Sequence, residues 1–137
     1  MKAFFDTSTF VKKYIFEEGY EKLDAILEDI TTIIVAPIYL LEIRSVVQRK
    51  LKEKLLTAQQ GDLIKQGIKN DHADFEQILW DGSLEQKALE LIEKHQLKTL
   101  DSIQLASAFL SKADTFITSD QKLFQIAKKE LKDVMLI

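Results

Sequence analysis

Lys2-Ala3-Phe4-Phe5-Asp6-Thr7-Ser8-Thr9 is a short apolar, aromatic run that stops on a cluster of side chains suited to capping a helix. It reads as strand, turn, helix, with a carboxylate where the strand ends. Phe10, Val11, Tyr14 and Ile15 continue at helical spacing up to Glu17-Glu18-Gly19, and Tyr20, Leu23, Ile26 and Leu27 mark a second helix. Ile33-Ile34-Val35-Ala36 is then an unbroken apolar run, the pattern of a strand covered on both faces. Pro37 follows where a helix accepts it, at its first position, and this third helix runs to about Leu51.

Beyond it, Thr57 to about Lys69 is a weaker helical stretch interrupted by Gly61 and Gly67, and Asn70 to Asp74 reads as a polar loop. Phe75 to Leu79 reads as a strand. Ser83 with Gln86 makes a capping box that opens a helix through Leu84, Ala88, Leu91 and Ile92. Ile103 to Leu110 is nearly all apolar, so that helix is buried on more than one side. Thr115 to Thr118 is a strand, Gln121 to Leu131 a helix, and Val134 to Ile137 a closing strand. Strands alternating with helices through short connections predict a three-layer α/β/α single domain over residues 1–137 with a central parallel sheet. Ligands of such sheets sit beyond the C-terminal ends of the strands.

A chain of 137 residues is long enough to bury one sizeable core. Its 46% hydrophobic and 30% charged residues, with four Gly and one Pro, exclude a disordered chain and argue against a loop-rich all-β domain. The absence of Cys removes disulfides, thiolate zinc sites, iron–sulfur clusters and cysteine nucleophiles, and makes the cytoplasm the expected compartment. Asp6 interrupts the N-terminus before a signal-peptide core could form, and no later run approaches a membrane span, so a soluble, unprocessed protein without a membrane partner is expected. The net charge is −3, so the whole-molecule field does not attract nucleic acid and any such contact is local. The densest positive stretch holds Arg44, Arg49, Lys50, Lys52 and Lys54 against Glu53, and a solvated helix face explains it as readily as phosphate binding does. Phe4, Phe5, Tyr14 and Phe16 read as core or dimer interface, and Trp80 as a loop anchor or partner contact.

Four acids stand out by position. Asp6 ends the first strand and Asp120 follows Thr115 to Thr118, which puts both on one edge of a parallel sheet. Glu42 lies within the third helix, with Ile38 and Leu41 a turn before it and Ser45 and Val46 a turn after, an inward-facing setting. Asp101 stands between Leu97 and Leu105 at i−4 and i+4. Each has a structural explanation: Asp6 or Ser8 caps the first helix, Asp101 pairs with Gln104 in a capping-box-like arrangement, Asp120 caps the next helix, and Glu42 bridges to Arg49. Their conjunction points further. Carboxylates gathered in a partly apolar cleft repel one another unless some are protonated or a cation neutralises them. Mg²⁺ or Mn²⁺ suits an all-oxygen set; His72 in a polar loop and His95 at a helix end read as surface, which disfavours zinc.

Asp6-Thr7-Ser8 after an N-terminal strand, Glu42-Ile43-Arg44-Ser45 in a helix after the second strand, Leu97-Lys98-Thr99-Leu100-Asp101-Ser102 leading into an alanine-rich helix, and Thr118-Ser119-Asp120 after a late strand together resemble the PIN domain, most nearly the VapC-type toxins of prokaryotic toxin–antitoxin pairs. The likeness runs through essentially the whole chain in order and spacing. It implies a Mg²⁺- or Mn²⁺-dependent ribonuclease in which Asp6, Glu42, Asp101 and Asp120 are the metal-binding acids and Thr118 is a supporting hydroxyl in the catalytic set. Ser8 and Ser45 are implied as supporting groups behind the acids. Arg44, Arg49 and Lys50, with Lys12 and Lys13 as further candidates, could hold flanking phosphates of an RNA substrate. The resemblance also implies a homodimer and a cognate antitoxin protein, and hydrolysis that leaves a 5′-phosphate and a 3′-hydroxyl. Residues Lys54 to Asp81 match none of these motifs. The competing readings are a protein-binding module of the same fold, an RNA-processing nuclease outside any toxin–antitoxin pair, and a phosphoryl-transfer enzyme. Ser8 stands where a haloacid-dehalogenase-like site needs a second Asp, and no glycine-rich phosphate loop is present, which sets the last aside.

Overall fold

The computed structural model describes residues 1–15 and 17–137; Phe16, expected in the aromatic cluster, lies outside the described residues. The elements follow in the order β1 (Lys2–Phe5), α1 (Thr7–Ile15), α2 (Tyr20–Leu27), β2 (Thr32–Val35), α3 (Tyr39–Lys52), α4 (Ala58–His72), β3 (Glu76–Gln77), α5 (Gly82–His95), α6 (Thr99–Ser111), β4 (Thr115–Thr118), α7 (Gln121–Glu130) and β5 (Val134–Leu136). All strand pairs are parallel, in the spatial order β3-β2-β1-β4-β5.

Alternation along the strands builds two cores. Phe4, Ile34 and Phe116 point to one face and pack with Leu84, Leu91, Leu105 and Leu123 from α5, α6 and α7. Ala3, Phe5, Val35 and Ile117 point to the other and pack with Phe10, Leu23, Tyr39, Ile43 and Ile68 from α1 to α4. Apolar residues on both faces of each inner strand are what a sheet covered by helices on each side requires, and the three-layer α/β/α architecture results. The chain steps outward from β1 through β2 to β3, then returns past β1 to β4 and on to β5. The winding therefore reverses between β1 and β4, where the loops leaving the two strands turn apart and open a crevice at their C-terminal ends. The Asp6 N–H donates to the Ile117 carbonyl at 3.0 Å, so the exit of β1 is fixed to β4 at that point.

Several local expectations yield to tertiary contacts. α4 opens on a Thr57–Gln60 capping box and runs through Asn70, Asp71 and His72, residues that read as loop. Its last turn is held by neighbours: the Tyr14 hydroxyl donates to Asp71 Oδ2 at 2.5 Å, Lys13 Nζ reaches the same oxygen at 2.9 Å, and the Tyr39 ring stacks over His72 at 5.9 Å. His72 is thus half-buried instead of lying on the surface. β3 is only Glu76 and Gln77, because just these two residues pair with Ile34 and Val35. α5 is capped by Asp81, which accepts from the Leu84 N–H at 2.9 Å, two residues ahead of the expected cap at Ser83. His95 is also not a surface group: its ring is 9% exposed and 2.6 Å from Glu130. α3 starts at Tyr39, with Pro37 in the preceding turn and Ile38 at the N-cap. Among the described residues no helix is long and apolar enough to cross a membrane.

Gly19 joins α1 to α2 with φ at 96°, a left-handed conformation that side chains rarely adopt, and a Cβ there would lie 3.2 Å from Lys12 Cδ. Gly19→Ala is expected to destabilise the fold by about 1 kcal/mol. The midpoint of urea unfolding checks this, and an unchanged midpoint would mean the turn relaxes.

Candidate active site

β1 and β4 deliver Asp6 and Asp120 to the crevice, the middle of α3 delivers Glu42, and the first turn of α6 delivers Asp101. All four line one cavity of about 610 Å³. Its α3 wall is a single stripe, Leu41, Glu42, Ser45, Val46, Arg49 and Lys50 with Ile38 at the N-cap, at the spacing that keeps residues on one helix face. Asp6, Asp101 and Asp120 stand just before or within first helical turns, where the helix dipole favours negative charge.

Asp6 is 6% exposed. Its Oδ2 accepts from Ser8 Oγ at 2.6 Å and from Thr118 Oγ1 at 2.7 Å. The two hydroxyls are themselves held by the following loop, Thr118 accepting from the Asp120 N–H at 3.1 Å and Ser8 from the Ser119 N–H at 3.3 Å. The Asp6 carboxyl is pushed up to about 6, by burial first and by the charges of Glu42 and Asp101, against the opposing hydrogen bonds of Ser8 and Thr118. Glu42 Oε1 accepts from Thr7 Oγ1 at 3.0 Å and from Gln104 Nε2 at 2.6 Å. Its pKa is raised by burial, with those two hydrogen bonds opposing and Asp101 adding to the rise. Asp101 is raised by burial and by Asp120, against Lys98 and Lys122. The acids are therefore electrostatically coupled in sequence around the cavity.

Of the structural roles expected for these acids, one is present. Asp120 caps α7 through the Leu123 N–H at 3.0 Å. Asp101 caps nothing: the N-cap of α6 is Lys98, and Gln104 is turned away to Thr7 and Glu42. Glu42 has no ion pair with Arg49 among the described residues, its partners being neutral donors. Asp6 accepts from two side-chain hydroxyls instead of from the helix backbone.

The basic residues divide. Arg49 and Lys50 line the cavity, and Lys50 sits 3.7 Å from Glu17. Arg44 is exposed and off the cavity, five residues and about 140° around the helix from Arg49. Lys12 donates to the Glu18 carbonyl and Lys13 pairs with Asp71, so neither lines the cavity. Ser45 lines it without a hydrogen bond to the acids. In the sequence Thr7 and Lys98 carry no role of their own within the motifs, Gln104 reads only as a capping partner of Asp101, and Lys122 gives no signal. Gln104 had a signal: a polar residue in a nearly apolar helix needs a buried partner.

The donor set is entirely oxygen, and Asp6 and Glu42 each have one oxygen engaged by the chain's own donors and one, Oδ1 and Oε2, without a hydrogen bond among the described residues. That chemistry fits a hard divalent cation, which takes one or two direct carboxylates and keeps water for the rest. Among the described residues no three Asp, Glu or His side chains close into a cluster around one point.

Three solved structures share the fold, each with a TM-score of 0.68. A toxin–antitoxin complex from Klebsiella pneumoniae is 20% identical and covers 89% of each chain. VapBC2 from Rickettsia felis, bound to a DNA fragment from its promoter, is 16% identical over 100% of this chain and 99% of that one. FitAcB from Neisseria gonorrhoeae is 15% identical over 92% and 93%. Comparison with curated proteins gave no significant match. The PIN domain matches residues 3–129, which takes in every strand but the last and all four acids; the chain belongs to the PIN domain family.

Proposed function

We propose that the chain is a divalent-metal-dependent endoribonuclease acting as the toxin of a toxin–antitoxin pair, with residues 1–137 working as one unit. The observation that carries this is the meeting of four mutually repelling acids with Arg49 and Lys50 on the wall of one cavity at the sheet's switch point. The family and the toxin–antitoxin neighbours support it. Asp6, Glu42, Asp101 and Asp120 would hold Mg²⁺ or Mn²⁺. The bound cation supplies charge neutralisation at the phosphate and a more acidic water at neutral pH.

The chain's own groups do the positioning. Ser8 and Thr118 fix one oxygen of Asp6, and Thr7 and Gln104 fix one of Glu42, so both carboxylates would face the cation in a set orientation. Arg49 and Lys50 would take a neighbouring phosphate of the RNA, Arg49 the more freely because Lys50 is close to Glu17. Leu41 and Leu100, 75% and 50% exposed on the cavity wall, give an apolar surface next to the charges, which supports a protein partner such as an antitoxin covering the site. A homodimer and a cytoplasmic location belong to the same reading.

The test is cleavage of a mixed single-stranded and structured RNA pool with Mg²⁺, Mn²⁺ or EDTA, beside Asp101→Asn. Cutting that needs the cation and is lost in the variant is expected; cutting that survives EDTA rejects the reading. Arg49→Gln should weaken RNA binding several-fold and lower the slope of log affinity against log salt by roughly one, whereas Arg44→Gln should leave both alone. Equal effects from the two would remove the cavity wall as the RNA path.

A further inference from the structure

Gln104 reads in the sequence only as a capping partner of Asp101, yet its side chain ties α1, α3 and α6 together behind the acids. It is 1% exposed. Its Nε2 donates to Thr7 Oγ1 at 2.8 Å and to Glu42 Oε1 at 2.6 Å, while Thr7 Oγ1 donates to the same Glu42 oxygen at 3.0 Å. The three groups close a triangle in which every proton is directed, straight or through Thr7, at Glu42 Oε1. Turning the amide over would set its carbonyl against the carboxylate and lose both donors, so the hydrogen-bond chemistry fixes its orientation.

This orientation has a consequence for folding. Gln104 Oε1 is left buried with no hydrogen-bond partner among the described residues. A buried carbonyl without a donor is destabilising, and such an atom in a folded protein calls for an explanation. A methionine has nearly the same length and shape and would leave no such atom, so packing alone does not account for an amide here. The amide's two donors account for it: they hold an acid that packs among apolar neighbours.

We propose that Gln104, with Thr7, is a positioning residue that pins Oε1 of Glu42 and so presents Oε2 as the oxygen available to the divalent cation. The inference rests on the metal-dependent reading of the same cavity, and it assigns Gln104 a role in cation binding instead of in folding. Outer groups that orient a metal-binding side chain typically change metal affinity or activity by roughly 10–100-fold when removed.

The experiment uses the full chain as wild type, Gln104→Met, Thr7→Val, Glu42→Gln and the Gln104→Met/Glu42→Gln double variant. Mn²⁺ affinity is read by electron paramagnetic resonance of the free ion, thermal unfolding is followed in EDTA, and RNA cleavage gives kcat and KM. Gln104→Met should bind Mn²⁺ at least about tenfold more weakly and lose kcat with KM for RNA unchanged, while unfolding in EDTA moves by only a few degrees. In the Glu42→Gln background it should add nothing. Unchanged Mn²⁺ affinity in Gln104→Met, or an equal further loss in the double variant, overturns the proposal while leaving the nuclease reading in place. Failure of the wild type itself to bind Mn²⁺ removes that reading and this proposal together. Should Gln104→Met not fold, Thr7→Val decides by the same criteria, since it removes the hydroxyl within the same outline.

Discussion

Asp6→Asn should make the metal-free protein melt higher at pH 7.5 and, on the nuclease reading, reduce RNA cleavage at least about a hundredfold. The carboxyl of Asp6 is pushed from 3.8 up to about 6, chiefly by burial and then by Glu42 and Asp101. An acid with a raised pKa binds its proton more tightly in the folded state. Its contribution is therefore neutral below pH 3.8, grows less favourable as pH rises toward 6, and is a constant penalty above that. Two pKa units correspond to a penalty on the order of 3 kcal/mol. Asparagine removes this penalty while its carbonyl can still accept from Ser8 and Thr118. The gain in melting temperature should be several degrees at pH 7.5, smaller at pH 5, and absent below pH 4. Mn²⁺ at a thousand times its Kd should then reverse the order, because it stabilises the wild type by about 4.1 kcal/mol, more than the penalty, and the variant lacks a ligating group. A variant that melts lower at pH 7.5, or cleaves RNA at the wild-type rate, would remove Asp6 from the centre of the site.

Phe10→Ala should produce the largest loss of stability. Phe10 is completely buried where β1, α1, α3 and the segment before β3 meet, with ring centroids of Phe5 at 4.9 Å, Phe75 at 5.1 Å and Tyr39 at 5.6 Å. Truncation removes its transfer free energy and leaves a cavity among rings that cannot collapse into it, for a loss of about 3–5 kcal/mol. That is a large share of the 5–15 kcal/mol typical of a domain, and the melting temperature should fall by roughly 10 °C or more. The site should suffer while the protein is still folded, since Phe10 and Tyr39 set the spacing between the helix that begins at Thr7 and the one that carries Glu42. Chemical denaturation measures the first effect and cleavage well below the melting temperature the second. A loss near 1 kcal/mol would show that Tyr39 and Phe75 move into the space.

Much of the site was legible because local pattern and sheet geometry suffice for it. Apolar runs that stop at Asp6 and before Asp120 identify strand ends, and in a parallel sheet all such ends share one edge. Glu42 could be placed because a charged residue with apolar neighbours a turn away on both sides has to face inward. The phase of α3 even contained the distinction between Arg49, in register with Glu42, and Arg44, out of register with it, although a charge run read as a block hides this. The capping alternative for Asp101 failed for a reason local rules cannot supply. Gln104 has two better partners on other elements.

The order of strands and helices and the two-faced apolar strands, and with them a parallel sheet whose polar edge lies at Asp6 and Asp120, are contained in the amino-acid pattern alone. These follow from periodicity and handedness, which act over a few residues or over whole connections of fixed sense. Which donors meet which acid, the packing of His72 and His95, and the continuation of α4 through Asp71 are settled instead by contacts between distant segments. Those outcomes depend on where side chains from distant segments come within hydrogen-bonding reach, as when Tyr14 and Lys13 hold Asp71 or Thr7 and Gln104 hold Glu42. No spacing along the chain encodes a 2.6 Å approach between residues 42 and 104. It arises when the two cores pack and bring α3 and α6 together across the end of the sheet.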